Sequence, residues 1–299
     1  MSQSRPRLII GGASKSGTTA VYYYLRQHPG ICLSRKKELH FFSRSSLERT
    51  VSGPGDRFVL AEIPKTFNEY LSFFRHCDGS KMAVDISPSY LFHHEAAEVI
   101  KHFLSDVRIV FILRNPVEKG FSQYLHLVAA GRETVSFEEA LERESKRKAQ
   151  GFADMWLYRA SGYYSVALEH FMQVFGRKNM KIFYYEEFLH DPERVLLDIC
   201  AFAHVDSAFQ FEPVTDANRS GQPKSALVTK ILGPSTITFF ARRILPQAFG
   251  RSLRKFVKEW NTGSKPILSE NTRKVLLEGY RDDIRRIEAL IGRESGWVK

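Results

Sequence analysis

The stretch from Leu8 to Thr19, LIIGGASKSGTT, constrains the fold more than any other part of the sequence. An apolar strand pattern runs into a loop of small residues with one lysine, and a helical pattern begins directly after it. Glycines let backbone N–H groups turn towards a ligand, and the positive end of the next helix adds to the attraction. The sequence therefore predicts an anion-binding loop at the end of a buried strand.

The position of the lysine narrows the choice of anion. In the nucleoside-triphosphatase loop G-x-x-x-x-G-K-[ST], the lysine directly follows the last glycine. Gly12 and Gly17 have that spacing, but Thr18 occupies the lysine position and Lys15 precedes Gly17 by two residues. This arrangement disfavours a triphosphate and favours a single phosphate or sulfate group.

A second segment predicts another phosphate contact. Residues 107–113 form an apolar strand pattern that ends at Arg114, and Pro116 suits the first turn of a following helix. Ser122 would lie about two turns into that helix. An arginine at the strand end and a serine on the helix can converge on one phosphate.

Strand-like and helical patterns alternate along the first two thirds of the chain. The predicted strands cover residues 7–11, 81–84, 107–113 and 180–184. The predicted helices cover residues 18–28, 95–104, 116–130, 137–148, 163–175 and 192–202. Such alternation is typical of an α/β fold with a mostly parallel central sheet flanked by helices. Lys15 and Arg114 would then lie at the carboxyl ends of strands, where such folds bind ligands.

No repeat, low-complexity tract or linker divides the chain, so we predict a single domain over residues 1–299. Residues 45–56 and 215–224 predict loops that border the site. Residues 226–299 predict a helical C-terminal part, in which Ser269 caps the last helix. One face of that helix carries an apolar stripe, formed by Leu276, Tyr280, Ile284, Ile287 and Ile291.

Composition bounds the partners and the compartment. With 44 Lys and Arg against 33 Asp and Glu, the net charge of +11 favours an anionic partner or a membrane surface. The short polar N-terminus and the lack of a ~20-residue apolar run predict a soluble protein without an anchor. Cys32, Cys77 and Cys200 are odd in number and far apart, so we expect neither a disulfide framework nor a cysteine zinc site. The expected lack of disulfides is consistent with a protein of the reducing cytoplasm.

Several motifs together resemble the sulfotransferases that use 3′-phosphoadenosine-5′-phosphosulfate (PAPS). They are KSGTT from Lys15, KELHFF from Lys37, and SPSYLF with VRIVFILRNPVEKGFSQYLH between Ser87 and His126. The segments YRASGYYSVALEHF, MKIFYYEEFLHDPERVL and VTDANRSGQPKSALV continue the resemblance, which covers residues 7 to about 290. The chain is most similar to the branch with heparan-sulfate-type and bacterial enzymes. The resemblance implies a P-loop-like sheet.

The resemblance also assigns roles to individual residues. The 5′-phosphosulfate of PAPS would bind to the loop residues Ser14, Lys15, Ser16, Gly17, Thr18 and Thr19. The 3′-phosphate would bind to Arg114 and Ser122, and a late segment would close over the nucleotide with Arg219, Ser220, Gly221 and Lys224. The resemblance makes Glu38 the general base and His40 its near-site partner. Asp85 stands where many relatives have glutamate, so any role in positioning the acceptor is left open.

The chemistry of sulfonate transfer needs these residue types. A base must remove the proton of the acceptor hydroxyl or amine, and Glu38 lies next to Lys37 and two residues from His40. Negative charge develops on the departing phosphate of the donor, and Lys15 is placed to stabilise it. The leaving group is one phosphate already met by these donors, so we expect no metal, unlike in phosphoryl transfer from a triphosphate.

Three functions stay open from the sequence alone. The leading hypothesis is a sulfotransferase, with a small metabolite favoured over a glycan as acceptor. The second is a P-loop kinase or another nucleotide-dependent phosphotransferase, which the position of Lys15 disfavours. The third is a basic module for acidic glycans or nucleic acid. No nucleic-acid motif supports it, so we expect no nucleic-acid partner.

Overall fold

The computed structural model describes residues 4–214 and 267–298. Its centre is a five-stranded sheet in which all neighbouring strands pair in parallel, in the order β2-β3-β1-β4-β5. The strands are β1 (Leu8–Gly12), β2 (Ile31–Leu33), β3 (Met82–Ile86), β4 (Arg108–Leu113) and β5 (Met180–Tyr184). The mostly parallel α/β sheet predicted from the sequence is confirmed.

Helices connect the strands and cover both faces of the sheet. Before β4 the chain forms α1 (Thr18–Leu25), α2 (Arg44–Glu48), α3 (Asp56–Ala61), α4 (Phe67–Ser72), α5 (Ser89–Phe92) and α6 (Ala96–Phe103). After β4 it forms α7 (Pro116–Ala129), α8 (Phe137–Glu142), α9 (Glu144–Ala149), α10 (Ser165–Phe175), α11 (Tyr185–His190), α12 (Pro192–Phe202) and α13 (Glu270–Ile291). None of the helices in the described residues is long and apolar enough to cross a membrane.

Alternation of side chains across the strands builds two hydrophobic cores. Ile9, Ile109 and Phe111 point to one face, where α6, α7, α10 and α13 contribute the other core residues. Ile10 and Val110 point to the opposite face, which α1 and α12 cover. Burial on both faces explains why the central strands read as continuous apolar runs.

Most predicted elements are confirmed, with shifted ends. The structure adds β2, whose three residues are too short to show a period, and the short helices α2, α3, α4, α5 and α11. The predicted helix over 137–148 is two helices, because the chain breaks at Arg143. The loop predicted over 45–56 is wrong in part, since α2 occupies its first residues.

The last helix, α13, follows its prediction. Ser269 caps it, accepting a hydrogen bond from the Thr272 amide at 3.1 Å. Leu276, Tyr280, Ile284 and Ile287 are buried. Residues 215–266, which include the loop predicted over 215–224 and most of the helical C-terminal part, lie outside the described residues. The single domain over 1–299 stays a prediction.

The expectation of no disulfide is wrong. Cys32 in β2 and Cys77 after α4 form a disulfide with a Cα–Cα distance of 5.7 Å, although 45 residues separate them in sequence. Because β2 pairs with β3, Cys32 in β2 lies close to Cys77 in the segment after α4. The spacing of the cysteines in the sequence does not show this tertiary contact. The argument for a reducing compartment thereby loses its basis. Cys200 is a free, buried thiol, and burial raises its pKa to about 11.

We expect the bridge to contribute measurably to stability. Closing a 45-residue loop restricts the unfolded chain and corresponds to about 4 kcal/mol in the chain-entropy model. A reductant should lower the thermal midpoint of the wild type by roughly 5–10 °C. The same reductant should leave the midpoint of Cys77→Ser unchanged, which separates the bridge from general effects of the reagent. Equal responses of both proteins in calorimetry would contradict the prediction.

Candidate active site

The loop after β1 has the backbone of an anion site. Gly12 has φ 140°, and a Cβ there would lie 2.2 Å from the carbonyl oxygen of Ile112, so only glycine fits. Gly17, with φ 80°, precedes α1 and provides no side-chain cap. The backbone N–H groups of Lys15 and Gly17 find no acceptor among the described residues. The loop therefore presents free donors beside the positive end of a helix.

Lys15 brings a full positive charge to this loop. Its φ of 67° is in the left-handed region, which a lysine rarely adopts. Burial lowers the pKa of its ammonium, and the nearby charge of Arg114 lowers it further, while the carboxylate of Glu38 raises it. No carboxylate lies within salt-bridge distance of the Lys15 ammonium among the described residues. Its charge is available to an anionic ligand.

Arg114 lies beside Lys15 because β1 and β4 are neighbouring strands. Its Nη1 donates a hydrogen bond to the carbonyl oxygen of Lys15 at 2.7 Å. Its guanidinium carbon lies 4.9 Å from the centre of the Tyr185 ring, a cation–π geometry. These contacts use one edge and one face of the guanidinium, and its remaining N–H groups can bind a ligand.

The helix α7 begins next to Arg114, as the sequence predicts. Asn115 caps it through its side chain, which accepts hydrogen bonds from the amides of Val117 and Glu118 at 3.0 and 3.3 Å. Pro116 occupies the first turn. Ser122 is half-buried about two turns further on, and its hydroxyl makes no hydrogen bond to the described residues. Its convergence with Arg114 on one phosphate stays a prediction.

Glu38 is held next to the anion loop by the sheet. Its amide donates to the carbonyl oxygen of Ile86, the last residue of β3, at 3.1 Å. Its carboxylate contacts the Lys37 ammonium and lies 3.8 Å from Nε2 of His40. Burial alone would raise the pKa of Glu38, but His40 and Lys37 together lower it to about 2. Glu38 is therefore ionised at neutral pH and can accept a proton.

A chain of hydroxyls fixes His40 against the sheet. Its Nδ1 lies 2.7 Å from Oγ of Ser89, which in turn lies 2.7 Å from Oγ of Ser43. Its backbone amide donates to Oγ of Ser87 at 3.2 Å. These contacts leave Nε2 directed at Glu38. His40 therefore orients the carboxylate and is only partly buried, in contrast to a packed core histidine.

Asp85 has a structural position beneath this chain. It is fully buried, and its carboxylate accepts hydrogen bonds from Ser87 Oγ at 2.7 Å, Tyr90 Oη at 2.8 Å and Tyr70 Oη at 3.1 Å. Burial raises the pKa of the carboxyl group. Asp85 thus supports the Ser87–His40 contact from below and does not face the anion loop with a free oxygen.

A second polar network supports the anion loop from the side of α7. Ser14 Oγ donates to Oε1 of Gln123 at 3.2 Å, and Nε2 of Gln123 donates to the carbonyl oxygen of Asp154 at 2.8 Å. The buried Lys119 donates to the carbonyl oxygen of Ser161 at 3.0 Å. Burial lowers the pKa of Lys119 to about 7, although Asp154 opposes the shift.

A cavity of about 250 Å³ opens beside these groups. Gly12 to Ser14 of the anion loop and Ser89, the partner of His40, line one side. The remaining lining mixes apolar and polar side chains, namely Pro88, Leu91, Phe92, His94, Lys119, Asp154, Ser161, Tyr163, Tyr164, Val166 and Ala167. The cavity therefore adjoins the anion loop and the hydroxyl of Ser89 that holds His40, while Glu38 and His40 themselves do not line it.

The structure brings Lys15, Arg114, Glu38 and His40 together at the carboxyl edge of the sheet. Arg219, Ser220, Gly221 and Lys224 lie outside the described residues. Sequence reasoning missed Ser89, Lys119, Gln123 and Tyr185 as neighbours of the site. Of these, only Tyr185 left a signal, since it directly follows a predicted strand at the edge where ligands bind.

Comparison with known proteins agrees with this geometry. A model of the sulfotransferase family matches residues 6–209. Human heparan sulfate glucosamine 3-O-sulfotransferase 3B1 is 27% identical over 192 residues, which cover 64% of this chain and 44% of that protein. Its mouse namesake is 26% identical over 272 residues, which cover 87% of this chain and 62% of that protein. The chain thus spans less than two thirds of the length of these relatives.

A solved structure matches over almost the whole chain. The crystal structure of a sulfotransferase from Alicyclobacillus acidocaldarius is 30% identical in sequence and superposes with a TM-score of 0.79. The match covers 99% of this chain and 100% of that one. The family resemblance predicted from the motifs is confirmed: the chain belongs to the sulfotransferase family.

Proposed function

We propose that this protein transfers a sulfonate group from PAPS to a hydroxyl or amine of a small acceptor, with Glu38 as the general base. The observation that carries the proposal is the meeting of three groups at one sheet edge. Lys15 has an uncompensated charge, Arg114 has free guanidinium donors, and Glu38 is an ionised carboxylate. A site that binds an anionic donor and removes a proton from an acceptor needs these three functions.

The residues of the loop fit a phosphosulfate. The free N–H groups of Lys15 and Gly17, together with the start of α1, would bind its oxygens. Arg114 and Ser122 would bind the 3′-phosphate from the neighbouring strand end and from α7. The bound donor supplies an activated sulfonate on a phosphate leaving group. The chain supplies binding, orientation and charge.

Lys15 and Glu38 would act on opposite sides of the transferred group. Lys15 stabilises negative charge that grows on the leaving phosphate, and preorganised charges of this kind usually contribute the largest share of catalysis. Glu38 accepts the acceptor proton, while His40 and Lys37 hold its carboxylate in place. Because Lys15, Arg114 and the backbone donors of the loop would together neutralise the charge of the phosphates, we expect turnover without a divalent metal ion.

The cavity beside Ser89 supports a small acceptor. Its volume of about 250 Å³ lies just below the usual range of ligand pockets, about 300–1,000 Å³. Phe92 and Tyr163 give it an apolar wall, and Lys119 and Asp154 give it polar groups. The segment Tyr158–Tyr164 contributes Ser161, Tyr163 and Tyr164 to the lining.

A glycan is the second candidate acceptor. The relatives named heparan sulfate 3-O-sulfotransferases support it, and so does the net charge of +11, which would attract an acidic polymer. One experiment distinguishes a small-molecule acceptor from a glycan acceptor. Labelled PAPS is incubated with a panel of small alcohols, phenols and amines and with heparan-type oligosaccharides, and mass spectrometry detects an added sulfonate.

Binding of the product nucleotide tests the donor independently of the acceptor. We expect adenosine 3′,5′-bisphosphate to bind in the presence of a metal chelator, and ATP to bind more weakly. A P-loop kinase would show the reverse preference and a magnesium requirement. The cytoplasmic location expected from the sequence stays a prediction.

Substitution of Arg114 tests the 3′-phosphate contact. Arg114→Ala should weaken binding of adenosine 3′,5′-bisphosphate by about 1.5–3 kcal/mol, because charge-assisted hydrogen bonds are lost. The affinity for adenosine 5′-phosphate, which lacks the 3′-phosphate, should change much less. Calorimetry on both nucleotides measures the difference, and an equal loss for the two would assign Arg114 another role.

A further inference from the structure

A cluster of metal-binding side chains lies away from the candidate active site. Cys32 comes from the edge strand β2, and His76 and Cys77 come from the segment after α4. Their ligand atoms all lie within 4.8 Å of one another, and both cysteines are buried while His76 is exposed. The disulfide accounts for the two cysteines, but it does not account for an imidazole directed at both sulfurs.

The position of the imidazole matches a tetrahedral zinc site. Nε2 of His76 lies 3.5 Å from Sγ of Cys32 and 4.0 Å from Sγ of Cys77. With Zn–S of about 2.3 Å and Zn–N of about 2.0–2.1 Å, a sulfur and a nitrogen on one tetrahedral zinc are about 3.5 Å apart. His76 therefore already has the spacing of a zinc ligand relative to Cys32.

Only the sulfur–sulfur bond prevents coordination. Sulfurs joined in a disulfide carry no thiolate charge, and thiolates are the zinc ligands. Two thiolates on one tetrahedral zinc stand about 3.8 Å apart, by the same bond lengths. Breaking the sulfur–sulfur bond lets the two sulfurs move apart to about this distance. The two segments stay next to each other, because the amide of Arg35 donates a hydrogen bond to the carbonyl oxygen of Phe73 at 3.1 Å.

We propose that Cys32, His76 and Cys77 bind a zinc ion once the disulfide between the two cysteines has been reduced. A dithiol reductant supplies two electrons and two protons, so that the bridge becomes two thiols and the reductant becomes a disulfide. Zinc then displaces both thiol protons, and neutral His76 provides the lone pair of Nε2. Water completes the fourth position on the exposed side of His76. Thiolate and imidazole ligands together suit zinc better than magnesium or calcium.

The site would keep the Glu38 segment anchored in both redox states. β2 ends at Leu33, and the chain reaches Glu38 five residues later. In the oxidised protein the disulfide ties β2 to the end of α4, and in the reduced protein zinc would tie the same two segments. Zinc binding at this cluster requires neither the sulfonate donor nor the acceptor.

Metal binding to the full chain tests the proposal. Thiol counting on denatured protein first establishes the redox state, with one reactive thiol expected before reduction and three after it. A zinc titration against a chromophoric chelator should then find one bound Zn²⁺ per reduced chain and none per oxidised chain. Co²⁺ in place of Zn²⁺ should give thiolate-to-metal absorbance in the reduced protein only.

Single substitutions identify the ligands. Cys32→Ser and Cys77→Ser should abolish zinc binding. His76→Ala should weaken it at least about tenfold, because loss of a group that only supports a metal ligand already costs that much. His102→Ala, a histidine outside the cluster, serves as control and should bind as the wild type does. Absence of zinc uptake by the reduced wild type would overturn the site, as would unchanged uptake by Cys32→Ser. Three reactive thiols before reduction would overturn the redox control.

Discussion

Glu38→Gln should lower turnover by roughly 10²–10⁴ while leaving PAPS binding nearly intact. The amide keeps the shape of the side chain and removes its ability to accept a proton. Glu38 is an ionised carboxylate that contacts Lys37 and His40, and its charge acts on Lys15 of the anion loop. Rates at saturating donor and acceptor measure the fall, and calorimetry with adenosine 3′,5′-bisphosphate measures donor binding.

Glu62→Gln is the matched control, because Glu62 is an exposed carboxylate that pairs with Lys36 at 2.9 Å and lies outside the site. Its turnover should equal that of the wild type. If Glu38→Gln kept more than about a tenth of wild-type turnover, the loss would be too small for a removed general base. The role would then pass to His40, and His40→Ala would be the next variant.

The lowered pKa of Glu38 also predicts how kcat/KM depends on pH. Because the pKa of Glu38 is lowered to about 2, the carboxylate is the main form at every pH above that value. Protonation of Glu38 should reduce kcat/KM only as the pH falls below about 3, one unit above this pKa. An acid limb of wild-type kcat/KM at higher pH would therefore belong to another group.

Local patterns of the sequence predicted the sheet and the anion loop. Apolar runs such as residues 107–113 show a buried strand directly, and glycines around Lys15 show a loop with free backbone donors. The start of α7 and the cap of α13 were predictable because Pro116 and Ser269 act on their own helix. Each of these features depends on residues within one turn or one strand.

Contacts between distant segments could not be predicted in this way. The disulfide joins residues that only the pairing of β2 with β3 brings together. The Ser14–Gln123 contact spans 109 residues, and the His40–Ser89 contact spans 49. Ser, Gln and Lys are common on helix surfaces, so nothing in their local pattern distinguishes Lys119 from a solvated lysine. Its burial becomes visible only when α7 packs beside residues 160–162.

Substitution of Lys15 has the second large expected effect. Lys15→Met keeps the length of the side chain and removes its charge, and both residue types meet the same strain at φ 67°. We expect kcat to fall by about 10²–10³, the loss typical for one group that stabilises charge in the transition state. Lys36→Met is the control, because Lys36 pairs with Glu62 outside the site.

The division of the effect between kcat and KM decides the role of Lys15. A group that binds donor and transition state equally would raise KM and leave kcat unchanged, whereas a group that stabilises the leaving phosphate lowers kcat. Lys15→Arg restores a positive charge and should recover part of the lost kcat. An unchanged kcat in Lys15→Met would make Lys15 a binding residue only. Arg114 and the backbone donors of the loop would then be the groups that stabilise the charge on the leaving phosphate.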